Sequence, residues 1–485
     1  DFTFTDMRNG DRQSIRTVCS ANKLTMLLAW DPTNEDSNRF AERSVRRYHT
    51  LYGAQGFAVV AIIPEGEEYR QAAERYLAAH EVAWPVVADY SDAQGRRIVL
   101  PTEPYPSYLL FDQEGLLKAD VHNEAWYSGT LYPGDPITFD LVNHEFRYAN
   151  YMNELCYKTF GECTYESKDY STNKQTEQLQ QATKGKGVNI VLIGDFFTDI
   201  DIETGYYRDA MEFAMESFFS IEPTKTYREY FNVYVIYAVS KKRQMSRYND
   251  SSALWTTMSS GTRVDFQCYF GKVDDYLATI QTSSLKIPAI IMNGAEVRSA
   301  TFYQLATPTK GYPYAAFPYN NRVGCAHVIK HECIGHTLGL LADEYIEINY
   351  ANQIPESDKS TLRTFQKSGS HLNVSLTNDP KSVSWAHLIG YPRYPGIGIF
   401  KGGHYYSEGV WRSETSGIMK DFVNYFNTFC RELIVRRILT LAGEEYTFEK
   451  FLEKDVLPTR AELEVPQIPS NTIYEHCPPV FIGDN

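Results

Sequence analysis

The sequence predicts an α/β protein of two or three domains, and three observations lead there. Short apolar runs alternate with stretches of helical period from Leu24 to Phe111, and the same alternation restarts at Val188. Between them, Thr130 to Lys186 is irregular and polar, with Ser, Thr, Asn and Gln enriched from Ser167 to Gln181. At 485 residues, 43% hydrophobic and 22% charged, the chain can bury a sizeable core on each side of that break.

Leu24 to Trp30 reads as a buried strand, Asp36 to Tyr52 as a helix, Phe57 to Pro64 as a second strand and Gly66 to His80 as a second helix. Trp84 to Ala88 and Ser107 to Phe111 follow as strands, the latter ending at the turn Asp112-Gln113-Glu114-Gly115. Beyond the polar stretch, Val188 to Gly194, Phe231 to Val239 and Ile287 to Met292 read as strands, and Tyr206 to Phe219 and Phe429 to Ile438 as helices. The expected divisions are a first domain over 1–125, a linker over 126–186, a larger domain over 187–445 and a C-terminal extension over 446–485.

A formal net charge of −14 argues against a nucleic-acid partner, because such proteins concentrate Lys and Arg on one face. No run approaches the roughly 18 consecutive apolar residues of a membrane span. The 8 cysteines include no CxxC pair, so neither a thiolate zinc ribbon nor a dithiol redox motif is expected. Cys156 and Cys163 are close enough in sequence for a local disulfide. Cys19 is expected to be a plain thiol.

Where a redox domain would place its two cysteines after a central strand and tryptophan, this chain reads Ala29-Trp30-Asp31-Pro32-Thr33-Asn34-Glu35-Asp36, and Tyr105-Pro106 stands just before a later strand as a candidate cis bond. In order of elements and in these positions, residues 1 to 125 resemble a thioredoxin-like domain of the bacterial TlpA type. Without thiols at the helix start, dithiol chemistry is excluded.

Chemistry concentrates in His327-Val328-Ile329-Lys330-His331-Glu332-Cys333-Ile334-Gly335-His336, continued by Thr337-Leu338-Gly339-Leu340-Leu341-Ala342-Asp343-Glu344-Tyr345. Two imidazoles on neighbouring helical turns can hold zinc, and an acid beside the first can take a proton from water. The usual spelling, HExxH, sets the histidines four apart. Here 336 minus 331 gives five. On an α-helix the extra residue rotates the second imidazole roughly 100° further round. A π-bulge is therefore expected, with Gly335 supplying backbone freedom.

Gly335-His336-x-x-Gly339-x-x-x-Asp343-Glu344-Tyr345 resembles the M64 (IgA peptidase) family, as do the strands around Asn189 to Asp195 and Tyr230 to Tyr234. That family often has Gly-Asp-Gly where this chain has Gly194-Asp195-Phe196. Trp411-Arg412-Ser413-Glu414-Thr415-Ser416-Gly417-Ile418-Met419 resembles the Met-turn of the metzincins, with Met419 as an apolar floor. The resemblance implies an α/β fold in which a thioredoxin-like domain precedes a larger metzincin-like zinc peptidase domain. It implies Zn2+ held by His331, His336 and one carboxylate, Asp343 with Glu344 as competitor, and Glu332 as general base. Gly339 would turn the chain out of the helix, and the acid left over would orient a ligand histidine. His327 reads as structural; Tyr345 would close the helix end, and the pair Tyr405-Tyr406 could supply a phenol to the reaction.

The implied protein is a zinc endopeptidase acting on a protein or peptide substrate, secreted or attached to the surface or periplasmic side of a bacterium, with room for a lipid anchor upstream of the chain. The competing reading is a catalytically silent, zinc-stabilised binding protein with a thioredoxin-like recognition module.

Overall fold

A computed structural model of the chain describes residues 1–96, 106–120, 152–153, 155–248, 250–259, 266–294, 299–304, 313–319, 322–347, 351–463 and 480–482. Two units emerge. The first comprises Asp1–Lys168, Thr198–Asp209 and Lys242–Gln244; the second comprises Asp169–Phe197, Ala210–Lys241 and Met245–Asn485.

In the first unit the strands are β1 (Thr3–Asp6), β2 (Arg12–Ser14), β3 (Leu24–Ala29), β4 (Phe57–Ile62), β5 (Val86–Ser91), β6 (Ser107–Asp112) and β7 (Leu117–Asp120), with apolar β-formers filling β3 and β4. They form one sheet in the order β2-β1-β5-β4-β3-β6-β7. The central strands β3, β4 and β5 run parallel, while β6 and β7 pair antiparallel at one edge. That is the thioredoxin-like arrangement. All six residues of β3 are buried, as a strand covered on both faces requires. The fifth strand begins two residues later than the sequence suggests, because Pro85 has no N–H to give to the ladder.

The helical stretch after β3 runs unbroken through Glu35–Phe40, a π-turn at Ala41–Val45 and Arg46–Tyr52. At its start, polar side chains close on one another where thiols would stand. Asn34 Oδ1 accepts from the Ser37 N–H (3.0 Å), Ser37 Oγ accepts from the Asp31 N–H (2.9 Å), and Asp31 Oδ1 accepts from the Thr33 N–H (2.8 Å). The N–H groups of Asp31, Thr33 and Ser37 are thus taken. Cys19, Cys156 and Cys163 are buried free thiols, so the disulfide that the spacing of the last two permits is not formed. The Tyr105–Pro106 bond involves Tyr105, which lies outside the described residues.

Returning segments complete this unit. Arg47 is 2% exposed, and its Nε donates to Asp201 Oδ1 at 2.5 Å, with the guanidinium 3.5 Å from the centre of the Tyr206 ring. Burial pushes the Arg47 pKa down, but the Asp201 charge more than offsets it.

The second unit contains β8 (Thr176–Gln180), β9 (Val188–Asp195), β10 (Phe231–Ile236), β11 (Thr257–Met258), β12 (Phe266–Gln267), β13 (Lys286–Asn293), β14 (Ala300–Gln304), β15 (Tyr314–Tyr319), β16 (Val374–Ser375), β17 (Phe400–Gly403), β18 (Tyr406–Arg412) and β19 (Val480–Ile482). Its main sheet runs β19-β14-β15-β13-β9-β10-β8, parallel from β15 to β10 and antiparallel at β14 and β8. The polar stretch contributes its edge strand, β8, whose residues are exposed or half-buried as an edge allows. A small sheet, β16-β18-β17, stands apart.

Asp195, at the end of β9, is fully buried and accepts from Ser240 Oγ (2.9 Å), Ser252 Oγ (2.6 Å) and the Phe196 and Ala253 N–H groups. It ties the strand end to two loops. Directly after β15 comes the helix Arg322–Val328, which passes into a π-helix over Ile329–Leu338 with all ten residues buried.

Removing one member of a buried ion pair strands the other, at about 3–5 kcal/mol. Arg47→Ala should therefore lower the unfolding free energy of the first unit by about that amount in a denaturant titration. A loss below about 1 kcal/mol would show that Arg243 alone compensates Asp201.

Candidate metal centre

The five-residue spacing of His331 and His336 acquires its geometry from the π-helix. With main-chain bonds running i to i+5, side chains five apart lie over one another. The rings stand 4.9 Å apart between centroids. The expected bulge is a full π-helix of ten residues, continued by the Gly339 N–H donating to Ile334 O at 2.8 Å.

Each imidazole is fixed through its Nδ1. The contact from His331 goes to Ile418 O (3.0 Å) and that from His336 to Leu341 O (2.8 Å). A carbonyl only accepts, so both Nδ1 atoms carry hydrogen, and in the neutral form that a metal ligand requires each ring has its lone pair at Nε2. Those two atoms converge on Asp343 Oδ1, at 3.0 Å from His331 and 3.2 Å from His336. His336 Nε2 is buried without a hydrogen-bond partner. The three side chains place their donor atoms within 4.8 Å of one another. Two imidazole nitrogens and one carboxylate oxygen, all buried and with one nitrogen left unsatisfied among the described residues, fit a zinc ion in both donor type and number.

Asp343 is held from two sides. Tyr405 Oη donates to its Oδ2 at 2.6 Å, and the His404 N–H donates to its carbonyl at 2.9 Å. Burial pushes its carboxyl pKa up, but the charge of the nearby His336 ring and the hydrogen bond from His331 hold it well below the usual range. Burial likewise pulls His336 down, yet Asp343 and then Glu332 raise it to about 9.

The chain leaves the helix differently from the sequence expectation. Gly339 has φ −78°, an ordinary helical value, and the left-handed residue is Leu340, at φ 52°. Gly339 is needed for space, since a Cβ there would lie 2.9 Å from Ile434 Cγ1. Gly335 is needed for the same reason: a Cβ would overlap Met419 Sδ. Met419 is 1% exposed against Gly335, and its carbonyl accepts from the Glu344 N–H at 2.8 Å.

Glu344 lies outside the three residues that could hold a metal and does not orient either histidine, whose Nδ1 atoms face backbone carbonyls. Its Oε1 accepts from Asn373 Nδ2 (2.9 Å) and its Oε2 from Asn427 Nδ2 (2.8 Å), while burial pushes its pKa up to about 7. Glu332 is fully buried, its Oε1 accepting from Ser299 Oγ (3.0 Å) and its Oε2 from Thr301 Oγ1. His327 packs on Phe422, 4.1 Å between centroids, outside the three residues that could hold a metal. Tyr406 donates to Asp358, away from Asp343.

Residue types alone did not single out Asn373, Asn427, His371 or His404. His371 and His404 are buried with Nδ1 unpartnered and stand 6.0 Å apart, and burial lowers both, His404 to about 4. The one signal for this turn was Gly402-Gly403, which opens a left-handed run through His404 (φ 47°) and Tyr405 (φ 74°).

Residues 177–395 match the family model described as IgA Peptidase M64, a span that contains His331, Glu332, His336, Asp343 and Glu344 and ends before Met419. None of the curated proteins matches the chain. Among solved structures, an uncharacterized thioredoxin-like protein from Bacteroides vulgatus is 19% identical, covering 25% of this chain and 75% of its own, at a TM-score of 0.19. The thioredoxin domain of a thiol-disulfide oxidoreductase from Bacteroides vulgatus is 17% identical over 25% of this chain and 84% of its own, at 0.19. A thiol:disulfide interchange protein from a Bacteroides species is 17% identical over 25% and 77%, at 0.20.

In metal-free protein, His336 binds its proton more tightly folded (about 9) than unfolded (6.5). The resulting stabilisation is complete below pH 6.5 and is lost as pH rises through 9, by at most about 3 kcal/mol. Chelated protein should unfold more easily at pH 9 than at pH 6, and His336→Gln should flatten that slope. Gly335→Ala, which forces Met419 aside, should cost about 1–3 kcal/mol in the same assay; an unchanged midpoint would mean Met419 yields freely.

Proposed function

We propose that the second unit is a zinc-dependent endopeptidase cleaving peptide bonds of extracellular proteins, with His331, His336 and Asp343 as metal ligands and Glu332 as general base. The observation that carries this reading is the meeting of two imidazole lone pairs and Asp343 Oδ1, with both Nδ1 atoms tied to main-chain carbonyls. The M64 match over residues 177–395 supports it.

A zinc ion supplies a Lewis acid for the scissile carbonyl and lowers the pKa of water to about 7. The chain's own part is then proton handling and exclusion of solvent. Glu332, next to His331, takes the proton of the attacking water on a carboxylate oxygen and returns it to the leaving amine. Ser299 and Thr301 hold that carboxylate in orientation, and one of the two hydroxyls must yield its place to the water. Buried as it is, Glu332 exchanges protons in a low-dielectric setting.

Substrate is a protein or peptide. Among the described residues no helix is long and apolar enough to cross a membrane. A secreted or periplasmic bacterial setting is the one we infer, with the thioredoxin-like unit acting in docking or spacing.

A second reading has its own support. Both oxygens of Glu332 already accept hydroxyl hydrogen bonds, and His331, Glu332, His336 and Asp343 are all at most 1% exposed. On that reading the zinc is structural and the domain binds without cleaving.

Glu332→Gln separates the two. Wild-type protein should digest a panel of denatured proteins and stop when a chelator is added, while the Gln variant should keep its zinc and lose activity by at least about 100-fold. Wild-type protein that holds zinc and cleaves nothing would favour the binding reading. Loss of zinc from the variant would make Glu332 a ligand.

A further inference from the structure

Tyr405 stands outside the group that could hold the metal, yet it touches the least constrained member of that group. Asp343 divides its two oxygens. Oδ1 faces both imidazoles, at 3.0 and 3.2 Å, and Oδ2 accepts from Tyr405 Oη at 2.6 Å. From this division we infer that Tyr405 is a positioning residue for the metal: its hydroxyl locks the Asp343 carboxylate so that a single oxygen is offered to the ion. The inference rests on the zinc reading given above.

A free carboxylate turns readily about its terminal bond, whose torsion has broad minima. Left alone, Asp343 could offer either oxygen or both. The two histidines have no such freedom, because each ring is pinned by a carbonyl. A donor on Oδ2 removes the remaining ambiguity, and partners of ligating carboxylates commonly do this.

The backbone around Tyr405 is built to hold the phenol there. Gly402, Gly403, His404 and Tyr405 have φ of 91°, 150°, 47° and 74°, a left-handed run that ends on a bulky aromatic residue. Such a conformation persists only where the surroundings enforce it. They do so here through the segment that carries Asp343. His404 N–H donates to Asp343 O (2.9 Å), Tyr405 N–H to Tyr345 O (3.0 Å), and Glu347 N–H to Tyr405 O (3.0 Å). The hairpin turn and the Asp343 segment are thus one paired structure, and Tyr405 is 8% exposed within it. Tyr406, its neighbour, sends its hydroxyl to Asp358 and serves as the control.

The test is a double-mutant cycle on zinc affinity, measured by competition with chromophoric chelators of graded strength. Tyr405→Phe should weaken zinc binding about 10–100-fold. Tyr406→Phe should leave it unchanged, and Tyr405→Phe placed in an Asp343→Ala background should change it less than about 2-fold. Wild-type affinity in the Tyr405→Phe variant overturns the inference. So does an equal loss with and without the Asp343 carboxylate, or failure of the Tyr405→Phe variant to fold without zinc, each of which would make Tyr405 a structural tyrosine. If the wild-type protein binds no zinc, or His331→Ala binds it as tightly, the zinc reading itself falls and takes this one with it.

Discussion

Everything at the centre of the second unit depends on one constraint: two imidazoles separated by five residues must share a face of one helix. An α-helix would turn them roughly 140° apart, whereas the main chain here runs with i to i+5 bonding over Ile329–Leu338. A π-helix is wide and poorly packed unless its neighbours press in. Met419 does so at Gly335 and Ile434 at Gly339, and in both places any side chain would collide. The two glycines are thus consequences of the histidine spacing, felt through Met419 and the helix Thr428–Ala442.

Many ionisable groups at this centre are buried. The two adjacent carboxylates are compensated locally. Asp343 is held charged by two imidazoles and a phenol, and Glu344, its sequence neighbour, is pushed toward neutrality and satisfied by two asparagine amides. His371 and His404 stay neutral through burial. Two adjacent carboxylates thereby acquire opposite roles: the one facing imidazoles is available to a cation, and the one facing amides braces Asn373 and Asn427.

The first unit shows the same local logic applied to a different end. Its sheet keeps the thioredoxin-like order, but Asp31, Asn34 and Ser37 hydrogen-bond across the turn where a reactive dithiol would need exposed N–H groups. The fold survives because β3 and the helix behind it are held by apolar packing around Phe40, Val45 and Tyr48, none of which involves that turn.

By itself the sequence determined the period of the main buried elements. The runs at Leu24, Phe57, Val188 and Ile287 read as strands because their length of six to eight residues and their Val, Ile and Leu content suit a sheet interior better than a buried helix. It also pointed to His331, Glu332, His336 and Asp343 as the candidate site residues, and to an irregular helix carrying the two histidines. Edge strands such as β2 and β8 escaped it, since an edge needs little hydrophobicity and is defined by its neighbour. Only the tertiary structure decided what each acid would do. Asp343 and Glu344 are adjacent and chemically similar, and their fates are set by residues 29 to 83 positions away, Asn373, Tyr405 and Asn427. No local pattern encodes those meetings, because they arise where a hairpin turn and a helix N-terminus are brought against one segment by the folding of the whole unit.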